Sequence, residues 1–158
     1  MDQPALVIDT NWVLDLCVFD DPAAVALRQS LQAGRCRWLA CDGMRDEFAR
    51  VLTYPAVQRR LRAIGRQESD VLVWYDRHAT AVPPAPLSPW RCADPDDQRY
   101  IDLSVQHRAV LLSKDKAVLA MRTRLRAAEV TVSVCWPCKA AVSKLSFISD
   151  KDFNAQKG

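Results

Sequence analysis

Ala5-Leu6-Val7-Ile8-Asp9-Thr10-Asn11 is the first patterned stretch of the chain, an unbroken apolar run that stops at an acid. A strand with one wet face alternates apolar and polar side chains, whereas a strand covered on both faces reads as a continuous apolar run. Residues 5–8 therefore predict a strand inside a parallel sheet, with Asp9 just beyond its carboxyl end. Functional groups collect at that position in open parallel sheets.

The same alternation of elements continues downstream. A helix over about 11–18 follows the first strand, and Asp21-Pro22 starts another with Ala24, Leu27 and Leu31 on one face, closed by Gly34. Residues 36–41 read as a second strand. From Asp42 to about Arg62, Met44, Phe48, Val51 and Leu52 recur at helical spacing, and Tyr54-Pro55 divides this segment into two helices. A further helix covers about 67–79. Residues 81–93 hold four prolines and predict a stiff surface connection or an extended edge segment. Pro95 opens a helix to about 107, residues 109–113 read as a strand, 116–126 as a short helix and 129–135 as a strand. Pro137 starts a last helix to about Leu145. Strands alternating with helices from end to end predict a three-layer α/β/α sandwich with a mainly parallel central sheet. The expected organisation is one domain over 1–148 and a polar tail over 149–158.

A chain of 158 residues, 49% apolar and 26% charged, is sized for one folded domain and carries no disorder signature. Its net charge of +3 permits a polyanionic partner without arguing for one. The amino terminus has an acid at position 2 and no basic leader, and no apolar run approaches the roughly 20 residues that cross a bilayer. The expectation is a cytoplasmic protein with no membrane contact. Six cysteines form no recognisable disulfide framework. Cys135-Trp136-Pro137-Cys138 is a C-x-x-C, but zinc would need two more ligands, and the only histidines are His78 and His107. The cysteines read as structural or incidental.

The acids carry the chemistry. Asp9 and Asp115 each lie past the end of a predicted strand. Asp97 sits in the first turn of the helix leading to the strand before Asp115, and Glu47 lies in a helix after the second strand. Carboxylates converging in this way repel one another, and a cation relieves the cost. An all-oxygen ligand set suits Mg²⁺ or Mn²⁺, one or two ions, better than zinc. Such ions serve phosphodiester hydrolysis.

Four segments, in order, resemble the motifs of the PIN-domain family. Val7-Ile8-Asp9-Thr10-Asn11 is similar to its opening V-x-D-T-N, and Asp46-Glu47-Phe48-Ala49-Arg50-Val51-Leu52 to its E-E-Y/F-x-x-V-L helix. Asp94-Pro95-Asp96-Asp97 with Tyr100-Ile101 resembles the D-P-D-D segment of the bacterial branch that supplies toxins of toxin–antitoxin pairs. Leu111-Leu112-Ser113-Lys114-Asp115-Lys116 is similar to L-V-T-G-D-K, 18 positions separating Asp97 from Asp115. The resemblance spans about residues 5–140. It implies that Asp9, Glu47, Asp97 and Asp115 are the catalytic, metal-binding acids of a ribonuclease, supported by Thr10, Asn11, Ser113 and Asp94. Lys114, Lys116 and Trp12 are the substrate-side candidates, and RNA, an antitoxin protein and a second copy of the chain are the expected partners. Trp12 stands where the family has a small aliphatic residue, Lys114 where it often has glycine, and Ala117 where many relatives carry a further acid.

Plainer roles exist for each residue. Asp9 could cap the helix that follows it, and Asp94, Pro95 and Asp97 make a good helix start. Glu47 could pair with Arg50, Asp115 could be a turn residue, and Asp46, Asp96 and Asp102 read as solvated. Gln58-Arg59-Arg60-Leu61-Arg62 with Arg66 is either a solvated basic face or a phosphate grip, and Arg122, Arg124 and Arg126 pose the same choice. Trp38 and Trp74 read as core. Two other function classes compete: a binding module of this fold that no longer cuts RNA, and a metal-dependent phosphatase. The phosphatase needs D-x-D after the first strand, where this chain has Asp9-Thr10-Asn11.

Overall fold

A computed structural model of the chain describes residues 3–137. Its centre is β1 (Ala5–Ile8), where Leu6 and Val7 have no exposed surface and Ile8 has 3%. This burial on both faces is what the unbroken apolar run requires. β1 is followed by α1 (Thr10–Cys17), a short 3₁₀ turn (Pro22–Ala24), α2 (Val25–Gln32), β2 (Arg37–Ala40), α3 (Asp42–Val51), α4 (Pro55–Ala63), α5 (Glu68–His78) and β3 (Ala79–Ala81). A second 3₁₀ turn (Pro95–Asp97) runs into α6 (Gln98–His107), β4 (Val110–Leu112), α7 (Lys116–Leu119), α8 (Arg122–Leu125), a third 3₁₀ turn (Arg126–Ala128) and β5 (Thr131–Ser133). Helices cover the two faces of the sheet, giving the three-layer α/β/α sandwich.

All five strands are parallel, in the order β3-β2-β1-β4-β5. The chain first builds outward from β1 through β2 to β3. It then returns through α6, which packs on β1 and β4, and lays β4 on the other side of β1. The order thus reverses between β1 and β4, whose register pairs Leu6 with Val110, Val7 with Leu111 and Ile8 with Leu112. A crevice opens outside the carboxyl ends of strands at such a switch point. Both chains leave the sheet there in step: Asp9 N donates to Leu112 O at 2.9 Å, and Ser113 N to Ser133 O at 3.0 Å.

Local sequence explains most element ends. Gly34 takes φ +68 after α2, and Pro55 opens α4 after Tyr54 in extended conformation. Two predicted elements differ. The segment after α5 contributes a third strand at the sheet edge, Ala79–Ala81, paired with Trp38–Ala40, where the sequence suggested the end of a helix at about 79 and, from 81, a surface connection or an extended edge segment. Three residues are too few to show alternation, and this strand exists because β2 offers it a free edge. The single helix expected over 116–126 is two one-turn helices, broken at Ala120-Met121. The predicted last helix after Pro137, Cys138 and the polar tail lie outside the described residues. Among the described residues no helix is long and apolar enough to cross a membrane.

Trp12, Trp38 and Phe48 are each 1% exposed and anchor the core beside the sheet. Tyr75 of α5 meets Trp38 edge-on at 4.6 Å and stacks on Phe48 at 5.2 Å, tying α3, α5 and β2 together. Trp74 is only half-buried and stacks on His78 at 4.1 Å. Because β1 is covered on both faces, truncation there leaves a cavity that neighbours cannot fill. Leu6→Ala is expected to cost about 3 kcal/mol of stability, read from urea unfolding. A loss under about 1 kcal/mol would contradict the central placement of β1.

Candidate metal centre

The switch point gathers the acids. Asp9 leaves β1, Asp115 follows β4 at the start of α7, and Asp94 and Asp97 bracket the 3₁₀ turn that leads into α6. Asp94, Asp97 and Asp115 each offer an oxygen, and these oxygens lie within 4.8 Å of one another. Asp9 is near enough to both Asp97 and Asp115 for the charges to act on each other, and Glu47 of α3 acts on Asp9 in the same way.

The plainer readings can now be weighed. Asp9 occupies the residue before α1, yet its side chain makes no capping bond to that helix. It turns instead toward β4, where Oδ2 accepts from the Ser113 hydroxyl at 2.7 Å, and it is 7% exposed. Asp94 and Asp115 do cap. Asp94 Oδ1 accepts from Asp96 N at 2.9 Å, and Asp115 Oδ1 accepts from Ala117 N at 2.8 Å. Each cap uses one oxygen and fixes the rotamer, which leaves the second oxygen for the centre. Asp97 makes no capping bond, and its Oδ2 is buried without a hydrogen-bond partner among the described residues. A buried carboxylate oxygen left unpaired is costly and rare, and a cation satisfies it. The donor set is all oxygen, so the residues fit Mg²⁺ or Mn²⁺.

Electrostatics agree with the geometry. Burial pushes the Asp97 carboxyl up to about 7, with Asp115, Asp9 and Asp94 adding repulsion. Burial also raises Asp9, partly offset by its bond from Ser113.

The supporting residues divide. Ser113, fully buried, holds Asp9 and accepts from Asp115 N at 3.1 Å, so one hydroxyl aligns two acids. Thr10 donates to Glu47 Oε2 at 2.7 Å, which ties the start of α1 to α3. Asn11 is exposed and makes no side-chain hydrogen bond among the described residues. Glu47 has no ion pair with Arg50; its oxygen is not in the Asp94, Asp97 and Asp115 group, and it is held by Thr10 and by a short bond from the Tyr100 hydroxyl. In the sequence Tyr100 figures only as part of the segment that resembles D-P-D-D, with no role of its own. The signal available was its place three residues after Asp97 on a helix, where positions three apart share a face.

Three expectations need correction. Trp12 is core, with 1% exposure, so its ring has no open face for a base. Lys114 does not extend freely toward a substrate: its amine pairs with Asp15 and lies over the Trp12 ring at 4.8 Å. Asp102 is not solvated; it is buried and accepts from Ser88 N and Gln98 Nε2, each at 2.9 Å, which pins the proline-rich segment to α6. Asp46 and Asp96 are exposed as expected, and Lys116 is exposed too. Arg99, two residues beyond Asp97, reaches across to α3, where its Nη1 stands 2.7 Å from the point a Cβ on Gly43 would occupy. The guanidinium thus packs over the start of α3.

A family model described as PIN domain matches residues 5–117, a span that begins at β1 and ends just past Asp115. The chain belongs to the PIN domain family. No curated protein matches it. PIN domains are in general metal-dependent nucleases that bind divalent ions, and the carboxylate cluster at the switch point is where this PIN domain has the groups to do so.

The raised carboxyls give a pH signature with a definite sign. Between the ordinary carboxyl value and about 7, folded Asp97 holds a proton that the unfolded chain releases, so its contribution to metal-free stability falls as pH rises through that window. Denaturant unfolding in EDTA at pH 5 and pH 8 is expected to show a steeper loss for wild type than for Asp97→Asn. Millimolar Mn²⁺ at pH 8 should restore wild type alone. Identical pH slopes for the two proteins would remove Asp97 from the repelling cluster.

Proposed function

We propose that this PIN domain is a metal-dependent endoribonuclease that hydrolyses phosphodiester bonds of single-stranded RNA. The observation that carries the reading is the convergence of Asp94, Asp97 and Asp115 around an unpartnered, buried Asp97 oxygen, with Asp9 beside them. Asp9, Asp97 and Asp115, with Asp94, would hold one or two Mg²⁺ or Mn²⁺ ions, and Glu47 completes the acidic set. A bound divalent ion supplies an activated water and neutralises charge that develops on the phosphate.

The chain's own residues do the positioning. Ser113 fixes the Asp9 and Asp115 carboxylates relative to each other, so the acids are aligned before any ligand arrives. Thr10 and Tyr100 both donate to Glu47 Oε2 and leave Oε1 free of hydrogen bonds among the described residues, able to orient a water or a ligand. Arg99 and Lys116, both exposed and within two positions of Asp97 and Asp115 in sequence, are suited to meet the phosphates of an incoming strand. A role as the toxin of a toxin–antitoxin pair rests on the Asp94-Pro95-Asp96-Asp97 resemblance. A second copy of the chain is the further partner we propose, because Phe19 (39% exposed) and Val25 (42%) leave apolar surface at the α1–α2 corner.

Asp9→Asn and Asp97→Asn separate a ligand from a cap, because Asn caps about as well as Asp but lacks the charge a divalent ion needs. Both variants are expected to stay folded by circular dichroism and to lose Mn²⁺-dependent cleavage of labelled single-stranded RNA by several orders of magnitude. Wild-type cutting by either variant would end the catalytic assignment, and a wild type inert on every RNA would favour a binding module. Sedimentation at micromolar concentration is expected to show a dimer; a single species of about 18 kDa would remove the second copy.

A further inference from the structure

The end of α1 away from the acids is surrounded by cations. Arg28 of α2, Arg60 of α4 and Arg66 just after α4 all reach the carbonyls at and beyond the end of this helix. Arg28 Nη2 donates to Leu16 O at 2.5 Å and Arg66 Nη1 to Cys17 O at 2.9 Å. Arg60 is held more loosely, with Nε and Nη2 at 3.3 and 3.4 Å from Val18 O and Phe19 O. Between them lies a cavity of about 300 Å³, walled also by Ile64 and the half-buried Trp74. None of its lining residues belongs to the carboxylate centre.

Helix capping accounts for part of this arrangement only. The end of a helix carries about half a negative charge, enough to favour one cation. Asp20 pairs with Arg28 at 2.7 Å, but Arg60 and Arg66 pair with no carboxylate among the described residues. Three guanidiniums and one carboxylate leave a local formal charge of +2. Each guanidinium has five N–H donors, and the carbonyls consume few of them.

We propose that this cavity binds a phosphate monoester. Such a group carries nearly two negative charges at neutral pH and three acceptor oxygens, matching the uncompensated charge and the spare donors. Planar guanidiniums are the side chains best shaped to grip it. Ile64 and Trp74 provide an apolar wall for the organic part of the ester. The source is either a small ester such as a mononucleotide or the phosphorylated end of an RNA. The site needs no metal, so it stands or falls independently of the nuclease reading.

The test uses the full chain in EDTA, with ionic strength held constant by chloride. Titration calorimetry with adenosine 5′-monophosphate is expected to show saturable binding that adenosine does not reproduce. Arg60→Gln should weaken it about tenfold or more, as expected for losing a hydrogen bond to a charged group, while Asp97→Asn leaves it unchanged. Tighter binding of the mononucleotide than of a 5′-phosphorylated oligoribonucleotide identifies the small ester, and the reverse order identifies the RNA end. Should Arg60→Gln not fold, Arg60→Lys keeps the charge without the planar fork and is expected to bind with intermediate affinity. Wild-type affinity in the Arg60 variant that folds, or binding of adenosine as tight as that of its monophosphate, overturns the proposal.

Discussion

Mutual repulsion among carboxylates that the fold cannot separate is the constraint on which this structure turns. β1 and β4 are neighbours because the chain reverses direction of growth between them, so the residues that follow the two strands must emerge side by side. In this chain those residues are Asp9 and the Ser113–Asp115 corner. α6, packed across the same two strands, brings Asp94 and Asp97 to the same edge. Separating the acids would mean breaking the register of the most buried pair of strands in the sheet, which costs far more than the repulsion it relieves.

The fold manages that repulsion by giving most acids a second attachment. Asp94 and Asp115 each use one oxygen to accept from a backbone N–H at a helix start, and Asp9 is gripped by a hydroxyl. These bonds hold the carboxylates in place whether or not a ligand is present, which is how a site is aligned in advance. Asp97 is the exception. It has an oxygen buried and unpartnered among the described residues, and burial together with its acidic neighbours raises its carboxyl to about 7. The centre is therefore unevenly built: three acids are anchored by the fold, and one waits on an external charge.

Much of this was legible in the sequence because it depends on short-range pattern. The apolar run at residues 5–8, the Pro55 break and the glycine at 34 each dictate a local conformation. The order of the acids along the chain was enough to bring them to one edge once the sheet was known to be parallel. What escaped was set by tertiary contact. β3 has no pattern of its own and forms on the edge of β2. Asp102 looks like any surface acid on a helix, and only the return of Ser88 over α6 buries it. Trp12 adjoins Asp9 in sequence, yet α1 turns its side chain into the core while Asp9 faces the crevice. Tyr100 could be placed near Asp97 by helical spacing, but its bond to Glu47, more than fifty positions away, could not be read from the sequence.

α1 joins the two charged regions of the molecule and suits both by its own polarity. The positive end of its dipole lies beside Asp9 and Thr10, and its negative end beside Arg28, Arg60 and Arg66. Eight residues make a helix about 12 Å long, so opposite charges are held apart by one rigid, buried rod. Burial of Trp12, Val13, Leu16 and Cys17 fixes the orientation of this helix, because turning it would expose its apolar face. The core side of α1 thus does more than fill space: it holds the helix where its first residues follow Asp9 and its last carbonyls meet the arginines.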